Sequence, residues 1–234
     1  MKQLASLLLF LIVFSNPIAG QQVDDSFDNP NPSRYMVGGT AFQLSGGEFL
    51  YKNTMLAVNS LSYGLTEHLS LGVGTELYTT FSANSSNRWP NLYFVNAKAG
   101  FQLVQNLHLA AGFETVFFRD PILGDDSHEG ISSISLGYGL LTYGSVNTNV
   151  TLGVSLPVVD MSRLDYVPIY NLGGSLRIGR KVSVIAECWA PSTKFIMIDG
   201  GFRFFGKRSA FDLGVLYLFG YSIPQPILDY TLKF

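Results

Sequence analysis

The chain has 234 residues, a net charge of −2, and only 14% charged residues where soluble domains carry about 25%. So few charges cannot cover a large water-facing surface, and without a basic excess there is no footprint for nucleic acid. A single cysteine, Cys188, excludes an internal disulfide, and it offers no partner thiol for a zinc site.

The first 20 residues read as a cleaved export signal. Lys2 supplies the positive start, Leu7 to Phe14 the apolar stretch, and Ile18-Ala19-Gly20 the small-residue cleavage site. That apolar run is shorter than the roughly 20 residues a spanning helix needs. Residues 21–33 (QQVDDSFDNPNPS) are polar and acidic; they read as a periplasmic leader ahead of the first strand.

From Arg34 to Phe234 the text changes to period-2 alternation broken by turns, which assigns residues 34–234 to one all-β domain. Leu69, Leu71, Val73, Thr75 and Leu77 share one face; Ser70, Gly72, Gly74, Glu76 and Tyr78 share the other. Leu107, Leu109, Ala111 and Phe113 alternate with His108, Ala110, Gly112 and Glu114. Val182, Val184, Ala186 and Cys188 alternate with Ser183, Ile185, Glu187 and Trp189. Apolar residues two apart describe strands; a helix would space them three and four apart.

The connections alternate in length. Short ones stand at 66–68, 104–106, 144–148, 179–181 and 206–208. Longer ones stand at 45–53, 80–90, 119–130, 157–168, 190–194 and 220–226. Eleven connections predict twelve strands, with ten or fourteen if one hairpin is merged or split. The whole is a closed antiparallel transmembrane β-barrel with tight turns at one end and longer loops at the other. Strands and a closed barrel are the only way, besides helices, to satisfy every backbone group in lipid.

If the apolar face meets lipid, its opposite lines the lumen. That face collects Glu76, Asn96, Lys98, His108, Glu114, Arg177, Glu187, Asp199, Arg203, Asp212, Asp229 and Lys233, together with glycines including Gly72, Gly137, Gly173, Gly201 and Gly214. A Lys or Arg at a lipid-facing midplane would cost about 2–4 kcal/mol, so these charges belong inside. Two readings stay open. The set is either a polar passage for a small solute, or a network in which Glu114 and Glu187 pair with Lys98, Arg177 and Arg203 and fill the interior.

The strand–turn–strand units 63–74 and 101–112, with the terminal segment Leu228-Asp229-Tyr230-Thr231-Leu232-Lys233-Phe234, resemble the Gram-negative outer-membrane β-barrel superfamily. The resemblance implies location in the outer membrane, in contact with its lipid. It also implies that Leu228, Tyr230, Leu232 and Phe234 are the signal read by the barrel-assembly machinery. It implies nothing about oligomeric state.

No cofactor, metal or catalytic set is expected. His68 and Ser70 share a face but sit at a tight turn, and His108 has no inward Ser on its own strand. The acidic loop around His128 lacks the spacing of a twelve-residue Ca²⁺ loop, and the polar loop at Trp89 reads as an ordinary connection. The expected function is a non-enzymatic outer-membrane barrel, structural or a narrow pore for small solutes. The alternatives are a barrel hydrolase acting on lipid or peptide, and a soluble ligand-binding barrel.

Overall fold

A computed structural model describes residues 27–77, 92–119, 131–157, 167–192, 195–219 and 224–234. The expected export signal, the Trp89 loop and the His128 loop lie outside them. Twelve strands run in chain order: β1 (Phe49–Thr54), β2 (Val58–Thr66), β3 (Leu69–Glu76), β4 (Leu92–Val104), β5 (Leu107–Arg119), β6 (Ile131–Gly144), β7 (Asn149–Pro157), β8 (Ile169–Gly179), β9 (Val182–Ser192), β10 (Phe195–Phe205), β11 (Ser209–Leu218) and β12 (Gln225–Lys233). Each pairs antiparallel with its chain neighbours, and β1 also pairs with β12 through Leu50↔Lys233 to Thr54↔Asp229, which closes the barrel. Closure leaves no edge strand with unpaired N–H and C=O groups.

The alternation read from the sequence orients the wall. Leu71, Val73, Leu109, Phe113, Leu152, Phe202, Phe211, Leu213 and Val215 are exposed on the outside, while Ser183, Ile185, Glu187, Arg203 and Asp212 are buried inside. Gly201 and Gly214 pair with each other on the inner face. Gly137 is a correction. It pairs with the outward Phe113, so it belongs to the outer face.

The strand number is as expected, but the first strand is not where the alternation seemed to begin. The segment from Arg34 to Leu44 is not part of the wall. β1 starts at Phe49, within the stretch expected as the first long loop, and Met55, Leu56 and Ala57 alone join it to β2. Met55 and Leu56 have φ of 53° and 59°. Two left-handed residues in sequence suit a two-residue hairpin turn, yet neither is the Gly, Asn or Asp that advertises one.

Residues 29–44 run inside the barrel instead. Tyr35 N–H bonds Gly38 O and Thr40 N–H bonds Ser33 O, so the segment doubles back on itself in a narrow hairpin with Arg34 bridged to Gly39. Asn29 Nδ2 reaches Val146 O in the β6–β7 turn at one extreme, and Gly47 N–H reaches Gly64 O near the other. Both ends of the hairpin therefore lie at the short-turn end of the barrel, and its tip reaches up into the lumen. Polar residues 29–33, expected to hang below the wall as a leader, belong to this same insertion.

Candidate functional site: a plugged lumen

A chain segment inside a barrel has no neighbouring strand to take its backbone hydrogen bonds, and buried N–H and C=O groups must find partners. Charged side chains on the wall supply them. Arg203 on β10 donates to Asn31 O (2.8 Å), Arg34 O (3.0 Å) and Tyr35 O (3.2 Å). Lys52 on β1 donates to Met36 O at 2.8 Å. Lys98 on β4 donates to Phe42 O (2.7 Å), Thr40 O (3.3 Å) and Ser33 O (3.4 Å). At the tip the polarity reverses: Val37 N–H and Gly38 N–H donate to the two carboxylate oxygens of Glu187 at 2.9 and 2.7 Å.

Two of the wall cations are balanced by wall carboxylates. Arg203 makes a two-point pair with Asp212, at 2.8 and 2.7 Å, with both side chains 1% exposed. Lys52 meets Asp229 at 2.8 Å. Asp212 and Asp229 face each other across β11 and β12, a like-charge pairing that is unfavourable alone and is flanked here by the two cations. Asp199 sits directly opposite Glu187. It is 5% exposed, so two acidic side chains meet at a buried place.

The remaining fit is steric. Met36 packs with Tyr35, Ile185 and Ile227, and a Cβ on Gly201 or Gly214 would collide with its side chain. Gly173 leaves room for the Tyr35 ring in the same way. Tyr35 Oη donates to Asn149 Oδ1 (2.6 Å) and shares a hydrogen bond with Thr151 Oγ1 (2.8 Å). Burial pushes its phenol well above the usual tyrosine value; the Thr151 hydrogen bond opposes that shift. On the other side Ala41 N–H donates to Thr142 Oγ1 at 2.7 Å, and Gln43 Oε1 accepts from Ser70 at 3.0 Å.

Alongside the hairpin a cavity of about 170 Å³ remains, lined from Leu44 and Ser70 near the short turns to Glu114, Asn171 and Trp189 toward the long loops. Arg34 and Glu114 meet across it at 3.6 Å, both partly exposed. The hairpin thus occupies much of the lumen and leaves this vestibule beside it.

Of the residues expected to line the lumen, Lys98, Glu187, Asp199, Arg203, Asp212 and Asp229 are buried on the inner face. The structure brings Arg203, Asp212 and Asp229 into one row and sets Asp199 beside Glu187. Asn96 and Glu114 line the vestibule, and His108 packs on the Phe42 ring at 4.7 Å between centroids. Three stand apart. Glu76 ends β3 at the long-loop end. Arg177 binds Asn147 Oδ1 (2.6 Å) and Phe27 O (2.5 Å) near the short turns. Lys233 pairs with Glu48 where β1 begins. In place of the expected pairing with one another, Lys98 and Glu187 bind backbone groups of the plug, Arg203 binds plug carbonyls and Asp212, and Glu114 meets Arg34. Leu228, Tyr230 and Leu232 share the outer face of β12 and Phe234 is 64% exposed.

Lys52 and Tyr35 were missed. Lys52 lay in an expected loop, although Phe49-Leu50-Tyr51-Lys52-Asn53 carries its own alternation with Lys52 on the Leu50 side.

No protein-family model matches the chain, and no curated protein matches it in sequence. Solved structures do share its fold. A KdgM porin aligns at a TM-score of 0.51 and 10% identity, over 80% of this chain and 96% of that one. The KdgM porin in complex with disordered oligogalacturonate aligns at 0.50 with the same identity and coverage. An Acinetobacter baumannii outer membrane protein aligns at 0.43, again at 10% identity over 80% and 96% of the two chains. The chain folds as a closed antiparallel barrel of the porin type.

Proposed function

We propose that this protein is a non-enzymatic outer-membrane barrel, exported by a cleaved signal and inserted through its C-terminal strand, that serves as a small-solute channel closed at rest by its own N-terminal segment. The single observation that carries this reading is the way the plug is held. Its backbone carbonyls and N–H groups rest on Lys52, Lys98, Arg203 and Glu187, polar partners that water can replace when the segment withdraws. The filling is moreover a segment separate from the wall, which begins only at Phe49, so it can leave without breaking any strand pairing of the barrel. The exposed apolar outer face supports the membrane reading over a water-soluble barrel.

A hydrolase finds no support among the described residues. His68 Nδ1 lies 3.2 Å from Gly100 O and its ring stacks on Phe101; His108 lies against Phe42. Neither is hydrogen-bonded to a serine there.

Planar-bilayer recording tests the proposal. The wild-type protein is expected to be mostly silent with brief openings, and Lys98→Gln with Glu187→Gln is expected to lengthen them. If proteolysis shows the segment released in that variant while the bilayer stays silent, the protein is not a channel.

A further inference from the structure

We infer that the short-turn rim between β8 and β11 binds the headgroup of an anionic phospholipid. The inference rests on the outer-membrane reading above. Arg180 and Lys181 form the β8–β9 turn; Lys207 and Arg208 form the β10–β11 turn. All four are exposed. The two turns are neighbours held in fixed register, because Phe205 N–H donates to Lys181 O at 2.8 Å and Gly206 N–H closes its own turn on Ser209 O at 2.7 Å.

The rest of the rim differs. The β2–β3 turn is Glu67-His68, the β4–β5 turn Gln105-Asn106, and the β6–β7 turn Ser145-Val146-Asn147-Thr148; none contains Lys or Arg. The cations are therefore gathered on one arc of the circumference. A rim that needed charge only for solubility would have no reason to collect it there.

The surface next to this arc decides what it binds. Phe204 pairs with Phe211 across β10 and β11, Phe202 packs on Phe204 at 6.5 Å, and with Ile178 of β8 all are 38–49% exposed on the outer face. An apolar patch that meets acyl chains thus runs without interruption into a cationic edge. Polar heads of long side chains reach the interface from such positions, and juxtamembrane Lys and Arg attract anionic headgroups. A phosphate ester carrying acyl chains satisfies both halves of the surface; an acidic protein satisfies only one. Lys181 is the exception, for its ammonium lies over the Phe27 ring at 4.6 Å and so faces the entering plug.

The full chain is reconstituted in phosphatidylcholine vesicles with or without phosphatidylglycerol, extracted into detergent, and the retained lipid is counted by native mass spectrometry. Wild type is expected to retain phosphatidylglycerol in preference to phosphatidylcholine. Arg180→Gln with Lys207→Gln and Arg208→Gln is expected to lose that preference by about tenfold, and high salt to weaken it. Lys181→Gln is expected to keep it. Equal retention by wild type and the triple variant overturns the inference, as does equal retention of the two lipids by wild type. Should Asp24→Asn with Asp25→Asn raise lipid retention severalfold, the acidic leader is the resident of this arc and the inference also falls. A protein that fails to enter vesicles at all contradicts the outer-membrane reading instead, so the two failures are distinguishable.

Discussion

The wall and the plug are made from one chain but obey different rules. In the wall, each backbone N–H and C=O is answered by the next strand, and side chains need only alternate between an apolar outside and a polar inside. In the plug, residues 29–44 have almost no ladder, and their backbone is answered one group at a time by side chains of the wall. The wall is thus held by many equivalent bonds, the plug by a few large polar anchors. Loss of one anchor should be felt locally, while the barrel around it persists.

Arg203 is the sharpest place to break that division. It is 1% exposed, pairs with Asp212 and holds three plug carbonyls. Arg203→Leu leaves Asp212 buried without its cation, a loss of about 3–5 kcal/mol where one partner of a buried pair is removed. The expected result is protease cleavage within 29–44 while the heat-modifiable mobility of the folded barrel on gels is retained. If barrel and plug are lost together at the same temperature, the two regions are not separable.

Gly173→Ala tests the steric seat. A Cβ there meets the Tyr35 ring and no backbone atom of the wall, and overpacking of this kind costs about 1–3 kcal/mol, so the plug should become cleavable without a change in any charge. Smaller and opposite in sign is Asp199→Asn. It replaces one of two buried acidic groups that face each other by a neutral amide able to donate to the Glu187 carboxylate, and it should slow plug proteolysis, with a gain of about 1 kcal/mol. Glu187→Gln, by contrast, weakens the acceptor for Val37 and Gly38 and should speed it.

The weakest effect is set by pH. Burial raises the Tyr35 phenol above its unfolded value, so the seated plug favours the neutral form. Its contribution is complete below the ordinary tyrosine value of about 10 and is lost as pH rises beyond it. Proteolysis of the segment should accelerate above that pH in wild type and lose this dependence in Tyr35→Phe.

Legibility in the sequence follows the same division. β9 was readable because its two environments differ at every step: Val182, Val184 and Ala186 face out while Ser183, Ile185 and Glu187 face in. The plug was not, since Tyr35, Met36, Ala41, Phe42 and Leu44 are buried from several sides at once and nothing forces a period of two. Its first residues looked like a polar tail because Asn29, Asn31 and Ser33 are polar, yet all three are buried. Their polarity answers Arg203 and Thr231 as well as water. The wall charges could be assigned to the inner face from alternation alone. What they hold could not, because a partner's backbone leaves no mark in side-chain text.

The account stands on residues 29–44 occupying the lumen, and cross-linking tests that most directly. In a Cys188→Ser background, Met36→Cys with Ile227→Cys places two thiols on side chains that pack together in the lumen, within the span of a short bifunctional thiol reagent. That reagent should join them in the membrane-inserted protein while the barrel keeps its folded mobility. A correctly folded barrel in which the two cysteines never join would contradict the plugged lumen.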